Sequence, residues 1–397
     1  MKRRRFLRRG RDLFATIVAS VAMRAGATET TKSQGAPARG YGTRSRFESI
    51  KRWVTPSRHP TATASWTPLG DLHGVITPSA LHYERHHAGI PDIDPDNFQL
   101  LIHGLVERPL MFSLADIKRF PQTHRICFIE CSGNGYREWR GPGGENVQQT
   151  HGLTSCTNWA GVSLSTILKE AGVKSSAQWV VAEGADGAAM TRSIPLEKCL
   201  DDVMLAYSQN GEALRPEQGY PMRLVVPGFE GSISVKWLRR LKVTAEPYYT
   251  REETSKYTDI LPSGKAREFT LTMEAKSVIT SPSGGHKISP PGYQQIRGLA
   301  WSGRGKISTV EVSTNDGSTW QHATLQGPVL AISHTRFVFD WHWDGAATSI
   351  MSRCTDETGY IQPTREALIS RRGENSFYHY NGIQRWRIEA DGSVHNA

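Results

Sequence analysis

The sequence predicts an α+β domain followed by an all-β, immunoglobulin-like sandwich. Three observations carry this. The chain has 397 residues, enough for two separate cores. From about 71 to 265, short strand and helix signals intersperse with no repeating strand–helix period, which is α+β rather than a doubly wound sheet. From about 266 to 390 nearly every periodic run is strand, with turn signals between the runs.

The N-terminal 27 residues contain Arg3-Arg4-Arg5-Phe6-Leu7, a short apolar run over Leu13 to Met23, and Ala25-Gly26-Ala27 as a small-x-small cleavage site. These are the parts of a twin-arginine signal peptide, so export to the periplasm in a folded state is expected. The apolar run is too short to span a membrane. The leader holds eight basic side chains against Asp12, so it carries +7 of the formal +10 and leaves +3 for the rest. With the basic balance confined to a leader, nothing supports a nucleic-acid partner. Residues 28–70, rich in Ser, Thr, Gly, Pro and Arg, read as an extended N-terminal arm.

In the first domain Phe98, Leu100 and Ile102 alternate as a strand. Ser113 and Asp116 form a capping-box pattern for a short helix that ends before Pro121. His124 to Cys131 is a strand with Ile126, Phe128 and Glu130 on one face and Cys127, Ile129 and Cys131 on the other. Ser132-Gly133-Asn134-Gly135 turns the chain immediately afterwards, and Gly141 to Gly144 keeps it irregular. A helix capped by Ser163 ends at Gly172. Trp179 to Ala182, Leu224 to Val226 and Lys236 to Val243 read as strands.

In the second domain the strands are Thr270 to Met273, Gln295 to Leu299, Ile307 to Val312 and Phe337 to Trp343. The last alternates Phe337, Phe339, Trp341 and Trp343. Asn315-Asp316-Gly317 marks a hairpin. The glycines around Arg304 make a turn; the run is too short for a phosphate loop.

Five cysteines (Cys127, Cys131, Cys156, Cys199 and Cys354) are an odd number for an oxidising compartment, so at least one is free or bound to a metal. No Cys-x-x-Cys-His motif attaches a haem and no paired Cys-x-x-Cys units bind zinc, so no haem is expected on this chain. Cys131, where the strand leaves its sheet, can offer a soft thiolate to a transition metal. An inert buried cysteine is the alternative.

Cys-Ser-Gly-Asn after a hydrophobic strand resembles the molybdenum-cysteine loop of the sulfite oxidase family. Further segments follow in that family's order. Tyr83-Glu84-Arg85-His86-His87 resembles its Phe-x-Arg-Asn-His segment, and Glu183-Gly184-Ala185-Asp186 its acidic turn. Gly219 to Gly228 resembles its most recognisable run, and Ser234-Val235-Lys236-Trp237-Leu238 the cofactor contact that follows. Tyr257 falls in the place of the tyrosine beside the metal. The resemblance covers about 75 to 390.

That resemblance implies a molybdopterin-binding catalytic domain over 71–265 and a dimerisation domain over 266–390. It implies a molybdenum–molybdopterin cofactor with Cys131 as metal ligand, and Cys131, Arg85 and Tyr257 as catalytic residues. Cofactor contacts would come from Tyr83, Glu84, Arg85, His86, His87, Asp186, Gln218, Arg223, Ser234, Val235 and Lys236, with Arg223 on the phosphate. Within the family, CSGNG with ERHHAGIPDIDP is most similar to the branch that oxidises sulfane sulfur. There are departures. Gly135 and Tyr136 stand where animal members carry arginines, Gln218 where a histidine stands, and His86 where an asparagine stands.

The implied reaction transfers oxygen from water to reduced sulfur, held as sulfane sulfur on a carrier protein during thiosulfate oxidation. Electrons would leave singly to a separate c-type cytochrome subunit. Competing readings are a sulfite dehydrogenase, a sulfoxide reductase of the same fold, and a non-catalytic binding protein with a decayed site. The sandwich is expected to make a homodimer or a hetero-oligomer.

Overall fold

The computed structural model describes residues 36–57 and 59–397. The expected signal peptide lies outside the described residues. Residues 50–397 form one compact unit, and the described residues of the unit before it contain no helix or strand.

Two five-stranded sheets build the first half. One runs Leu110–Ser113, Gln99–Gly104, Leu238–Thr244, Trp179–Gly184, Thr191–Pro195, with Gln99–Gly104 and Leu238–Thr244 parallel and the other pairs antiparallel. Phe98, Leu100 and Ile102 are buried as their alternation requires. Helix Leu164–Ala171 covers the sheet with Leu164, Ile167, Leu168 and Ala171, an i, i+3, i+4, i+7 stripe. Gly172, at φ 71, ends it. Ser163 does not cap this helix through its side chain; its hydroxyl meets Ser165 Oγ at 2.7 Å instead. The Ser113–Asp116 box closes in both directions, at 3.1 and 3.0 Å.

The other sheet orders Glu212–Ala213, Met204–Gln209, Thr154–Ser163 and Gln122–Glu130, with Arg223–Val225 also paired to Met204–Gln209. Continuous antiparallel pairing from Gln122↔Val162 to Glu130↔Thr154 fixes the register of the strand that leads to Cys131. Its two faces then serve different cores. Ile126 and Phe128 pack with the second domain, while Cys127, Ile129 and Cys131 pack with Tyr83 and Trp159.

The second half is a sandwich. Lys276–Ser281, Gly292–Trp301, Thr335–Trp343 and Thr324–Gln326 form one sheet; Gln321–His322, Ile307–Ser313, Thr348–Asp356, Arg385–Ile388 and Val394–Asn396 form the other. Trp301, Phe337, Trp343 and Trp386 are buried between them. Asn315-Asp316-Gly317 lies in the hairpin joining Ile307–Ser313 to Gln321–His322.

The structure corrects the expected elements in several places. Within the segment read as an extended arm, Trp53–Val54 and Ala64–Trp66 form a three-stranded sheet with Glu84–Arg85, and the Trp53 and Trp66 rings meet at 4.6 Å. Strands of two or three residues are too short to show a period. Thr270 to Met273 is not a strand; Phe269 and Leu271 have φ of 46 and 55, and only Thr272 bridges, to Phe229. Leu271 turns back onto the first domain's core, and the strand starts at Lys276. Trp237, at φ 52, precedes its strand, and its indole donates to Pro216 O at 2.8 Å. Helix Arg365–Arg372 sits in the otherwise all-strand domain, with Thr364 accepting from Ala367 N.

Among the described residues no helix is long and apolar enough to cross a membrane.

Candidate active site

Cys131 follows directly on the strand Gln122–Glu130 and is partly exposed, on the wall of a cavity. Burial pushes its thiol above the ordinary value, opposed by the Gly133 N–H and the Arg85 guanidinium. All five cysteines are free, and Cys127 is fully buried with its thiol pushed up strongly by desolvation.

The cavity brings together Tyr83, Arg85, His86, His87, Cys131, Asp186, Gln218, Arg223, Ser234, Val235, Lys236 and Tyr257. Glu84 is the one expected contact that does not line it. Its alternate position on the short strand turns its carboxylate to Arg52 and to His86 Nε2. Trp237, inside the segment 234–238, lines it too, and the sequence reading missed His82, Met190, Gly231 and Ser232 on the same wall. His82 was within reach, since it adjoins a segment already singled out; no pattern marked Met190.

The tautomers follow from the bonds. Lys236 Nζ donates to His86 Nδ1 at 2.9 Å, so His86 carries its proton on Nε2 and donates it to Glu84 at 3.1 Å. Burial first, and then Lys236, holds His86 neutral, with its pKa down at about 3. His82 donates through Nδ1 to the Tyr83 carbonyl at 2.9 Å, which leaves Nε2 as a buried acceptor without a partner; desolvation lowers its pKa to about 3. His87 is likewise neutral, down at about 3 by burial and then by Arg85, and Nε2 meets the Tyr257 hydroxyl at 3.0 Å.

Two buried cations dominate the far end. Arg223 donates to Ser234 O at 2.8 Å and to Gln218 O at 3.1 Å, and lies 5.0 Å from the Trp159 ring centroid. Lys236 donates to Glu217 O at 3.0 Å as well as to His86. Neither forms a salt bridge among the described residues. Desolvation lowers Arg223 to about 10 and Lys236 well below the usual lysine value. A site that buries two cations on neutral acceptors is built for an incoming anion. The chain also makes room there: at Gly219, φ 107, a Cβ would press on Arg223 and Lys236 at 3.0 and 3.1 Å.

The third cation is already neutralised. Arg192 lies 5.0 Å from the Tyr257 ring centroid and pairs with Glu230 at 2.5 Å and Glu253 at 3.6 Å. Burial would raise Glu230, but Arg192 prevails and holds it at about 2. Arg85 lines the cavity with Cys131, donates to the carbonyls of His86 and Thr63, and has no carboxylate partner among the described residues.

Above Cys131 a second cavity of about 460 Å³ opens outward. Arg85, His87, Cys131 and Tyr257 form its floor, and Trp66, Tyr136, Phe377 and Tyr378 its aromatic walls. The Tyr136 and Phe377 rings meet at 4.9 Å, Phe377 and Tyr378 at 5.0 Å, Tyr378 and Tyr257 at 5.2 Å. Arg137 also lines this cavity, donating to Tyr136 Oη at 3.1 Å and Gly143 O at 3.3 Å.

A two-domain chain with a cation-lined cavity around a strand-end cysteine fits a molybdopterin oxidoreductase, and the family matches show that class. Residues 87–252 match the oxidoreductase molybdopterin binding domain and residues 267–385 the Mo-co oxidoreductase dimerisation domain. The chain belongs to the sulfite oxidase family of molybdenum oxidoreductases.

Among solved structures it is similar to the sulfane dehydrogenase SoxCD from Paracoccus pantotrophus, at 47% identity and a TM-score of 0.90, over 92% of this chain and 95% of that one. It is 32% identical to the mitochondrial sulfite oxidase of Rattus norvegicus over 79% of its own length, and 30% identical to the NADH nitrate reductase of Ulva prolifera over 77%. The chain spans 63% of the first relative and 40% of the second.

The residues present fit the cofactor that the family implies. Among the described residues no cluster of three or more His, Cys, Asp and Glu side chains could hold a metal. A metal at Cys131 therefore needs ligands that a cofactor brings, and the dithiolene sulfurs of molybdopterin are such ligands. A phosphate would suit Arg223 and Lys236, which have no salt-bridge partner among the described residues, and a pterin donor would suit the buried His82 Nε2.

Proposed function

We propose that this chain is a SoxC-type molybdenum subunit that oxidises sulfane sulfur held on a carrier protein, in thiosulfate oxidation. Cys131 would ligate the metal, and Arg223 and Lys236 would hold the phosphate. Tyr83, Asp186, Gln218, Ser234 and Val235 would flank the pterin. Once bound, the cofactor supplies two-electron oxygen-atom transfer between water and sulfur, which no side chain can perform.

The chain's own residues then do the positioning. Arg85 offers planar charge-assisted donors to an anionic sulfur group. Tyr257 stays protonated, since burial raises its pKa, and with His87 forms a neutral pair able to orient the oxygen of water or product. The aromatic walls beside Cys131 would accept an apolar stem.

The observation that carries the substrate reading is this funnel: about 460 Å³, walled by aromatic rings, with Arg85 beside Cys131 and Arg137 turned to Tyr136 Oη and Gly143 O. Free sulfite, small and dianionic, gains nothing from aromatic walls and needs converging cations. A sulfur carried on an organic arm gains from both the walls and the carrier surface. The likeness to SoxCD supports the same reading. Electrons would pass singly to a SoxD-like c-type cytochrome, and the C-terminal domain would mediate homo- or hetero-association. The RRRFL leader supports twin-arginine export to the periplasm.

The test is molybdenum analysis of the purified protein, followed by kcat/KM for a carrier-bound persulfide and for sulfite with a cytochrome acceptor. The persulfide should win by at least about tenfold, the scale of one lost guanidinium contact. A preference for free sulfite would instead favour a sulfite dehydrogenase, the reading that the 32% identity to rat sulfite oxidase supports.

A further inference from the structure

We infer that the second domain sets the position of Cys131 through a buried polar clamp in which Lys276 and Trp301 are positioning residues. The inference rests on the reading of Cys131 as the metal ligand. Glu130, the residue before it, is wholly buried on the opposite face of the strand. One carboxylate oxygen accepts from Lys276 Nζ at 2.5 Å and from Asn134 Nδ2 at 2.9 Å, and the other from Trp301 Nε1 at 2.7 Å. Lys276 and Trp301 are themselves buried and stand directly opposite each other across two paired strands of the sandwich. The register of that sheet thus aims two donors at one carboxylate of the other domain.

Asn134 transmits the grip to the thiolate. Its backbone N–H donates to Cys131 O at 2.8 Å, and its side-chain oxygen accepts from Leu153 N at 3.0 Å. Cys131 N–H in turn donates to Leu153 O at 2.9 Å, so the loop closes into a ring of bonds around the ligand. The second domain adds one more hold, His379 N–H to Ser132 O at 2.7 Å. Stability alone does not call for this arrangement, because a buried ion pair can often be exchanged for apolar residues without loss. What an apolar pair cannot supply is a fixed acceptor for Asn134. A metal ligand displaced by an ångström costs rate out of proportion to stability.

The experiment uses the metal-replete full chain with Lys276→Met, Lys276→Arg and Trp301→Phe. Lys276→Met should lower kcat by about tenfold or more, on the scale of a small misplacement of reacting groups, with KM within about twofold. It should also shift the thiolate-to-metal absorption and speed amide hydrogen exchange across residues 131–135 about tenfold or more. Trp301→Phe, which removes one N–H and no charge, should move the same readouts less far, and Lys276→Arg should restore them. Should Lys276→Met fail to fold, Trp301→Phe decides by the same measurements. Lowered thermal stability with unchanged absorption, exchange and kcat would make the clamp merely structural and overturn the inference. Failure of the underlying reading looks different: thiolate-to-metal absorption would be missing in the unaltered protein, or would survive Cys131→Ser.

Discussion

Replacing Tyr136 with arginine should convert the funnel toward free sulfite. The wild-type floor offers Arg85, while Arg192 is tied to Glu230 and Arg137 to Tyr136 Oη and Gly143 O. Tyr136 lines the funnel beside Phe377, which in turn lies against Gly133, next to the thiol. A guanidinium there adds one charge-assisted contact, worth about 1.5–3 kcal/mol. Repulsion from Arg85 falls mainly on the stability of the free protein, and its partial relief when the anion binds does not oppose binding. Taking the low end of the contact range, KM for sulfite should fall by about tenfold or more. Loss of the ring pair with Phe377, about 0.5–1.5 kcal/mol, falls on stability rather than on binding. Initial rates of cytochrome reduction over a sulfite titration measure it, with molybdenum content as control. A folded, metal-replete variant with unchanged KM would refute the reasoning. The neighbouring position cannot serve: Gly135 has φ 84, and a Cβ there would lie 2.8 Å from the Tyr380 ring, so Gly135→Arg should misfold the loop.

Cys131→Ser should keep the fold and lose turnover together with thiolate-to-metal absorption, whereas Cys127→Ser should stay active and lose about 1–3 kcal/mol for a buried hydroxyl, both read by spectra and denaturant titration. Acid should destabilise the protein through its buried neutral histidines. His82 sits at about 3 in the fold against 6.5 unfolded, so the unfolded chain binds the extra proton between those values. Its contribution is complete above about pH 6.5 and falls as pH drops toward 3, by about 2 kcal/mol at pH 5; thermal melts of the wild type and His82→Asn at pH 7 and 5 check the slope. Replacing Arg3 and Arg4 by lysine should strand the protein in the cytoplasm, as fractionation would show. Truncation after residue 265 should expose Phe128 and Cys156 and leave Glu130 without Lys276, giving an insoluble or inactive chain; a soluble, active product would refute this.

Much of the site was legible because its residues sit in local patterns. The alternation around Cys131 placed the thiol on one face and Glu130 on the other, and the segments at 83–87, 219–228 and 234–238 do converge on one cavity. What the sequence hid was long-range. Nothing near Lys276 or His379 says that either reaches the cysteine loop, because each meets it only through a sheet pairing or a backbone bond made across domains. Phe377 and Tyr378 lie in a segment without periodicity, anchored by their N–H groups on Asp259, so no pattern marked them as funnel walls. Short strands such as Trp53–Val54 escaped for lack of length, and Leu271 was misread because a left-handed backbone carries no compositional sign unless glycine occupies it.

The strand Gln122–Glu130 has a consequence for how this protein can change over time. Its alternate residues belong to two domains that cannot substitute for each other. Inserting or deleting one residue inside it would send a carboxylate into the cofactor cavity and a thiol against Lys276 and Trp301. Length variation in this stretch should therefore abolish the site in single steps. Heritable drift here is confined to exchanging side chains of similar size, and a library of single-codon insertions should show a silent gap spanning this strand.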